Sequence, residues 1–222
     1  MLPDKLQHST NNNLWPVAEF GKDPSVLTSI YEANVNIAVW QRERQQLLDT
    51  YANEWVKRYP SHAPKLLLSV ANVTDQLDKL LPDLDETTSF KQDVALLVEM
   101  FACLFDTDEV GLRLSPLTTA MCPRFHVDNI PCRLVTTYGG PGTQWLLEEN
   151  LDRSRLGKGA GGLPDHESGI FNNEQAIQQL NSQHIALLKG SGWVGNEDYG
   201  IVHRSPHLPS GQMRLLLTLD FL

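Results

Sequence analysis

The hydrophobic pattern of the chain changes its period at about Thr107, and this change limits the fold more than any other feature of the sequence. Before it, apolar residues recur at helical spacing. Leu48, Tyr51 and Trp55 do so within Arg42–Arg58, ahead of Pro60 and Pro64; Leu77, Leu80 and Leu81 do so between Thr74 and Pro82. Such stripes are the buried faces of amphipathic helices. Ser89 followed by Gln92 has the form of a capping box. Beyond it Val94, Leu97, Val98, Phe101, Leu104 and Phe105 mark the face of a third helix. Asn36–Trp40 is a short apolar run of strand character. After Thr107 the segments become short, β-branched or alternating, with Pro and Gly between them: Glu109–Leu114, Arg124–Val127, Cys132–Tyr138, Ile185–Leu188, Gly200–Arg204 and Arg214–Phe221. The polar, Gly-rich stretch Asp152–Asn173 reads as a long functional loop, a mobile lid, and Gln175–Leu180 as a turn or two of helix. Helices first and strands second give an α+β protein whose second half is an antiparallel sandwich or barrel.

Charge and composition exclude several classes. The chain carries 27 acidic and 18 basic residues, a formal charge of −9, and neither half is basic. A footprint built on phosphate neutralisation is therefore not expected, and nucleic acid is not an expected partner. A 41% hydrophobic and 20% charged composition belongs to a globular chain. The longest apolar run, Val94–Phe105, is interrupted by Glu99 and too short to span a bilayer. The opening MLPDKLQHSTNNN is polar, reads as frayed and lacks an apolar signal core. Cys103, Cys122 and Cys132 are too few for a disulfide framework. A cytoplasmic protein with no membrane partner is expected.

Reactive side chains concentrate in CPRFHVDNIPCRLVTTY, from Cys122 to Tyr138. His126 and Asp128 form His-x-Asp there, and residues two apart in a strand share a face. An imidazole and a carboxylate on one face suit a divalent transition metal, iron(II) in particular, when a second His joins them. The plain alternative is a surface His–Asp pair at a turn. His203, at the end of an apolar strand, offers the third ligand; His207 competes with it but lies between two prolines. Arg214 opens the apolar strand Leu215, Leu216, Leu217, Leu219. Facing inward it needs an anion, and a small dicarboxylate beside the metal supplies one through bidentate hydrogen bonds. Its alternative is a structural pair with Asp220 or an exposed arginine at a sheet edge. Gly157–Gly162 lacks P-loop spacing, and no nucleophile elbow surrounds Gly190-Ser191-Gly192.

In their order and strand context, His126-x-Asp128, His203 and Arg214 resemble the 2-oxoglutarate and iron(II)-dependent dioxygenases. That resemblance implies a double-stranded β-helix (jelly roll) over residues 107–222, supported by helices in residues 1–106, the two forming one compact unit. It implies iron(II) held by His126, Asp128 and His203. The distal carboxylate of 2-oxoglutarate would lie on Arg214, with Tyr138 and Thr136 adding hydrogen bonds to that cosubstrate. It leaves the substrate, small molecule or protein, unspecified. The wording HVDNIPCRLVTTYGGPGTQWL and HRSPHLPSGQMRLLLTLD also resembles a bacterial family known only as a domain of unknown function, whose members tend to be encoded near zinc-homeostasis genes. This second resemblance implies a rival: a zinc-binding accessory protein without turnover, the same three ligands binding zinc in an open site that His207 or Cys132 could close.

Overall fold

The computed structural model describes residues 15–221. The frayed N-terminus expected from the sequence lies outside the described residues. Strands β1 (Val17–Gly21) and β2 (Val35–Trp40) come first, then helix α1 (Gln46–Arg58) and strand β3 (Lys65–Ser69). Helices α2 (Val73–Leu80) and α3 (Thr87–Phe105) precede β4 (Glu109–Leu117) and β5 (Cys132–Tyr138). The remainder holds β6 (Gln144–Leu146), α4 (Asp165–Ser168), β7 (Ile177–Gln179), β8 (Ile185–Lys189), β9 (His203–Arg204) and β10 (Arg214–Asp220). Among the described residues no helix is long and apolar enough to cross a membrane.

Seven strands make one sheet in the order β1-β2-β8-β5-β10-β4-β3, antiparallel except for the β1–β2 pair. The order β7-β6-β9 makes a second, smaller sheet. Residues before Thr107 therefore supply three strands as well as the helices. β1 (VAEFG) and β3 (KLLLS) are edge strands, half-exposed and short, so they lack the alternation that marks a buried strand.

The register of β10 sets the two faces of the large sheet. Leu215, Leu217 and Leu219 join one buried cluster with Tyr51 and Trp55 of α1, Leu77 of α2 and Phe90, Val94 and Phe101 of α3. The opposite face contributes Ile37, Val39, Val135, Ala186, Leu188 and Leu216 to a second cluster, which Trp145 of β6 closes. The smaller sheet thus covers one end of this second face, and Arg214 and Thr218 lie on it with Leu216.

Three local expectations change. α3 begins at Thr87 rather than behind a Ser89 capping box: Glu86 takes a left-handed φ of 66°, and the Thr87 hydroxyl accepts from the Leu84 amide at 2.8 Å. Gln175–Leu180 is a single 3-10 turn (Glu174–Ala176), closed by the Asn173 side chain on the Ala176 amide at 3.2 Å, and then strand β7. Asp152–Asn173 is not structureless. It contains 3-10 turns at Arg153–Arg155 and Gly157–Ala160 and helix α4.

Candidate metal centre

His126 and His203 face each other across a single antiparallel bridge, each amide donating to the other's carbonyl at 3.0 Å. Residues opposed in this way present side chains to the same side, and the two imidazole centroids are 4.5 Å apart. Only this bridge forms at His126; the strand expected over Arg124–Val127 does not extend beyond it. Asp128 follows two residues later, its carboxylate 3.7 Å from His126 Nε2 and 3.5 Å from His203 Nε2. One ligand atom from each of the three lies within 4.8 Å of the others.

Each ring is oriented from behind. His126 Nδ1 lies 2.9 Å from the Arg124 carbonyl and His203 Nδ1 3.2 Å from the Ile201 carbonyl. A carbonyl only accepts, so both Nδ1 atoms carry the proton, and both Nε2 atoms are turned toward Asp128. Burial and the neighbouring His203 push His126 below its ordinary value, which favours the neutral ligand form. Burial alone would raise Asp128, but His203 and Arg133 outweigh it and hold the carboxyl at about 2. The set is therefore two imidazole nitrogens and one ionised carboxylate, which fits a divalent transition metal.

Residues outside the triad hold it in place. Arg133 of β5 donates from Nη1 to Asp128 Oδ2 at 2.5 Å and from Nε and Nη2 to the two oxygens of Asp220 at 2.6 and 2.8 Å. Buried Asp165 accepts from the Phe125 amide at 3.0 Å, Arg124 Nε at 3.0 Å and Arg204 Nη1 at 2.8 Å. The stretch read as a lid is thus anchored beside the triad. At Gly190 a Cβ would stand 2.6 Å from the Asp128 carbonyl and 2.2 Å from that of Ile130. Only glycine lets β8 end this close to the ligand loop.

Arg214 shares the cavity with His126 and His203, a space of about 70 Å³. Its side chain is fully buried at 1% exposure. Nη2 donates to Ser205 Oγ at 2.8 Å and Nη1 to the Pro141 carbonyl at 3.1 Å, while Nε has no partner. No carboxylate within ion-pair distance balances it among the described residues; Asp220, the alternative raised by the sequence, is engaged by Arg133. Burial lowers Arg214 to about 10, so it remains a cation at neutral pH. A buried cation bonded only to neutral oxygens, with an orphaned donor, is costly to leave without a countercharge.

A family model, described as a protein of unknown function (DUF1826), matches residues 21–220. The chain belongs to the DUF1826 family. No curated protein matches it in sequence. Among solved structures it is similar to the dioxygenase for auxin oxidation 1 from Arabidopsis thaliana, in its 2-oxoglutarate binary complex. The TM-score is 0.54 at 9% identity, over 94% of this chain and 92% of that one. It is also similar to a full-length Neurospora crassa protein in complex with alpha-KG and 5-formyluracil, with TM-score 0.50 at 10% identity, over 95% and 85% of the two chains. Identities this low establish a shared fold and nothing further, and the likeness runs over nearly the whole DUF1826 chain rather than its C-terminal half alone.

Within this DUF1826 protein the structure brings His126, Asp128, His203 and Arg214 together and separates Tyr138 and Thr136 from them. The even-numbered side of β5 faces the helices: Cys132, Leu134 and Tyr138 belong to the first core cluster. Tyr138 donates to Asp93 Oδ2 at 2.6 Å, and Arg42 Nη2 donates to the same oxygen at 3.0 Å. Thr136 shares that side and pairs with Leu217 in the ladder. The two residues do share a parity, but it is that of the helix-facing side; Arg133 and Val135 line the cavity instead. Cys132 lies on the same far side, buried, and burial raises its thiol. Cys122 is exposed at the cavity, and His207 is exposed and outside the triad.

Proposed function

We propose that this DUF1826 protein is an iron(II) and 2-oxoglutarate-dependent oxygenase. The observation that carries the reading is Arg214: a buried guanidinium without a countercharge among the described residues, opening into the same cavity as the two histidines of a His-Asp-His triad. A metal carrier has no use for that cation, whereas a cosubstrate with two carboxylates uses both features. His126, Asp128 and His203 would hold the iron, and Arg214 with Ser205 Oγ would bind the distal carboxylate. Bound there, iron(II) and 2-oxoglutarate would supply the activation of dioxygen for substrate oxidation, with succinate and carbon dioxide as the cosubstrate's products.

The chain's own contribution is orientation and exclusion of water. The backbone carbonyls of Arg124 and Ile201 hold the imidazoles, Arg133 holds Asp128, and the second apolar cluster keeps solvent from Leu216 and Val135 beside the site. On the rival reading the same three ligands would hold zinc in an open site, and a closed site would need a fourth protein ligand. Cys132 is on the other face of the sheet and His207 is outside the cluster, so neither closes it.

Anaerobic purification with metal analysis, followed by an assay of succinate formation from 2-oxoglutarate, tests the proposal. Stoichiometric iron with slow succinate formation in the absence of a substrate is expected. Tightly held zinc and no succinate after iron reconstitution would return the protein to the carrier reading.

A further inference from the structure

The cavity beside His126 and His203 is lined by four arginines, Arg113, Arg133, Arg204 and Arg214, and among the described residues that line it there is no carboxylate. Two of them have acidic partners. Arg133 is neutralised by Asp128 and Asp220, and Arg204 shares Asp165 with Arg124. Arg214 receives the cosubstrate on the reading above. Arg113 makes no side-chain hydrogen bond and no ion pair among the described residues.

The neighbours of Arg113 sharpen the question. It lies on β4 directly opposite Thr218 of β10, whose hydroxyl is buried without a partner and lines the same cavity. On its other side it is directly opposite Lys65 of β3. Like charges opposed across a ladder are destabilising. Asp220, which lines an adjoining groove with both cations, has both of its oxygens on Arg133. With a divalent ion and 2-oxoglutarate bound, the ion, Arg133 and Arg214 would be balanced by Asp128, Asp220 and the two carboxylates of the cosubstrate. Arg113, Lys65 and one charge of the Arg124–Arg204 pair on Asp165 remain in excess, in a chain whose overall charge is −9. A local positive field inside a negative protein concentrates anions at one place.

We propose that the substrate of this centre carries an oxyanion, a carboxylate or a phosphate, and that Arg113 and Thr218 receive it beside the metal. The guanidinium supplies paired N–H donors and Thr218 a third donor, and the oxyanion satisfies a hydroxyl that otherwise stays orphaned. Lys65 at the sheet edge draws the anion toward the cavity. This inference rests on the oxygenase reading for its meaning, but the anion site is measurable without it.

The probe is sulfate, a tetrahedral stand-in for a phosphate ester, with acetate as the planar alternative. Each is titrated into the full chain at ionic strength held constant with sodium chloride and followed by amide NMR. Saturable shifts centred on residues 111–115 and 216–220 are expected, and whichever anion binds more tightly identifies the oxyanion geometry. R113Q is expected to weaken the binding roughly tenfold, the scale for losing hydrogen bonds to a charged group. R113K should restore part of it and R214L should leave it in place. Shifts that never saturate, that persist unchanged in R113Q, or that vanish only in R214L would overturn the assignment. Titration with 2-oxoglutarate separates the two readings. Its binding should survive R113Q, and its absence from the wild type, with sulfate binding intact, would count against the oxygenase and not against the anion site.

Discussion

Arg133 Nη1 lies 2.5 Å from Asp128 Oδ2, so the carboxylate of the triad is gripped by the same guanidinium that makes a bidentate pair with Asp220. The pair fixes the plane of Asp128 and leaves its Oδ1 turned toward His126. Outer groups of this kind tune metal affinity by about 10–100-fold. R133Q is therefore expected to lower metal affinity within that range, as measured by competition with a chelator, while the protein remains folded. R133K keeps the charge but loses the fork, and should recover only part of the loss.

Arg214 is expected to cost stability when nothing occupies its cavity. Replacing an uncompensated buried charge with an apolar side chain of similar length removes a desolvation penalty. R214L should be neutral or more stable than wild type, by up to about 2 kcal/mol in urea unfolding. The comparison also depends on pH. Burial holds Arg214 at about 10 in the folded state, below its ordinary value of 12.5. The folded protein therefore loses this proton more readily than the unfolded chain, and wild type gains stability as pH rises through about 10. The advantage of R214L should shrink over that interval. A gap that stays constant from neutral pH to above 10 would show that Arg214 is not the buried cation described.

Tyr138 belongs to the support of the sheet and not to the cosubstrate. Its hydroxyl bonds to a buried carboxylate, Asp93, which also pairs with Arg42. Y138F should cost about 1.5–3 kcal/mol of stability, the range for a hydrogen bond to a charged group. The affinity for 2-oxoglutarate, measured by calorimetry, should be unchanged.

The triad is legible in the sequence because its signals are local or chemical. His126 and Asp128 lie two residues apart, and Arg214 is conspicuous as a cation opening a row of leucines. The strand Cys132–Tyr138 is legible to the residue, but its facing is not: a fully buried strand has apolar side chains on both faces, so alternation does not say which one meets the cavity. For that reason the sequence points to Thr136 and Tyr138 for the cosubstrate and not to Arg133, on the opposite parity. Asp165 and Asp220 act from far along the chain, and nothing in GLPDHES or LLLTLDF marks an acid that will hold an arginine. Gly190 stands out in the sequence only as part of an absent nucleophile motif. Its role, the approach of β8 to the Asp128 loop, exists only in three dimensions.

The central claim is that the triad and Arg214 act on one ligand, and one spectrum tests it most directly. Anaerobic protein loaded with iron(II) is titrated with 2-oxoglutarate and followed in the visible range. A metal-to-ligand charge-transfer band that saturates with the cosubstrate is expected in the wild type. H126A, D128A and H203A should lack the band through loss of metal. R214A should keep the metal but require far more 2-oxoglutarate, a weakening of about 2–5 kcal/mol for removing one partner of a buried charge pair. Absence of the band from iron-loaded wild type, or a band whose titration is unchanged in R214A, would contradict the account.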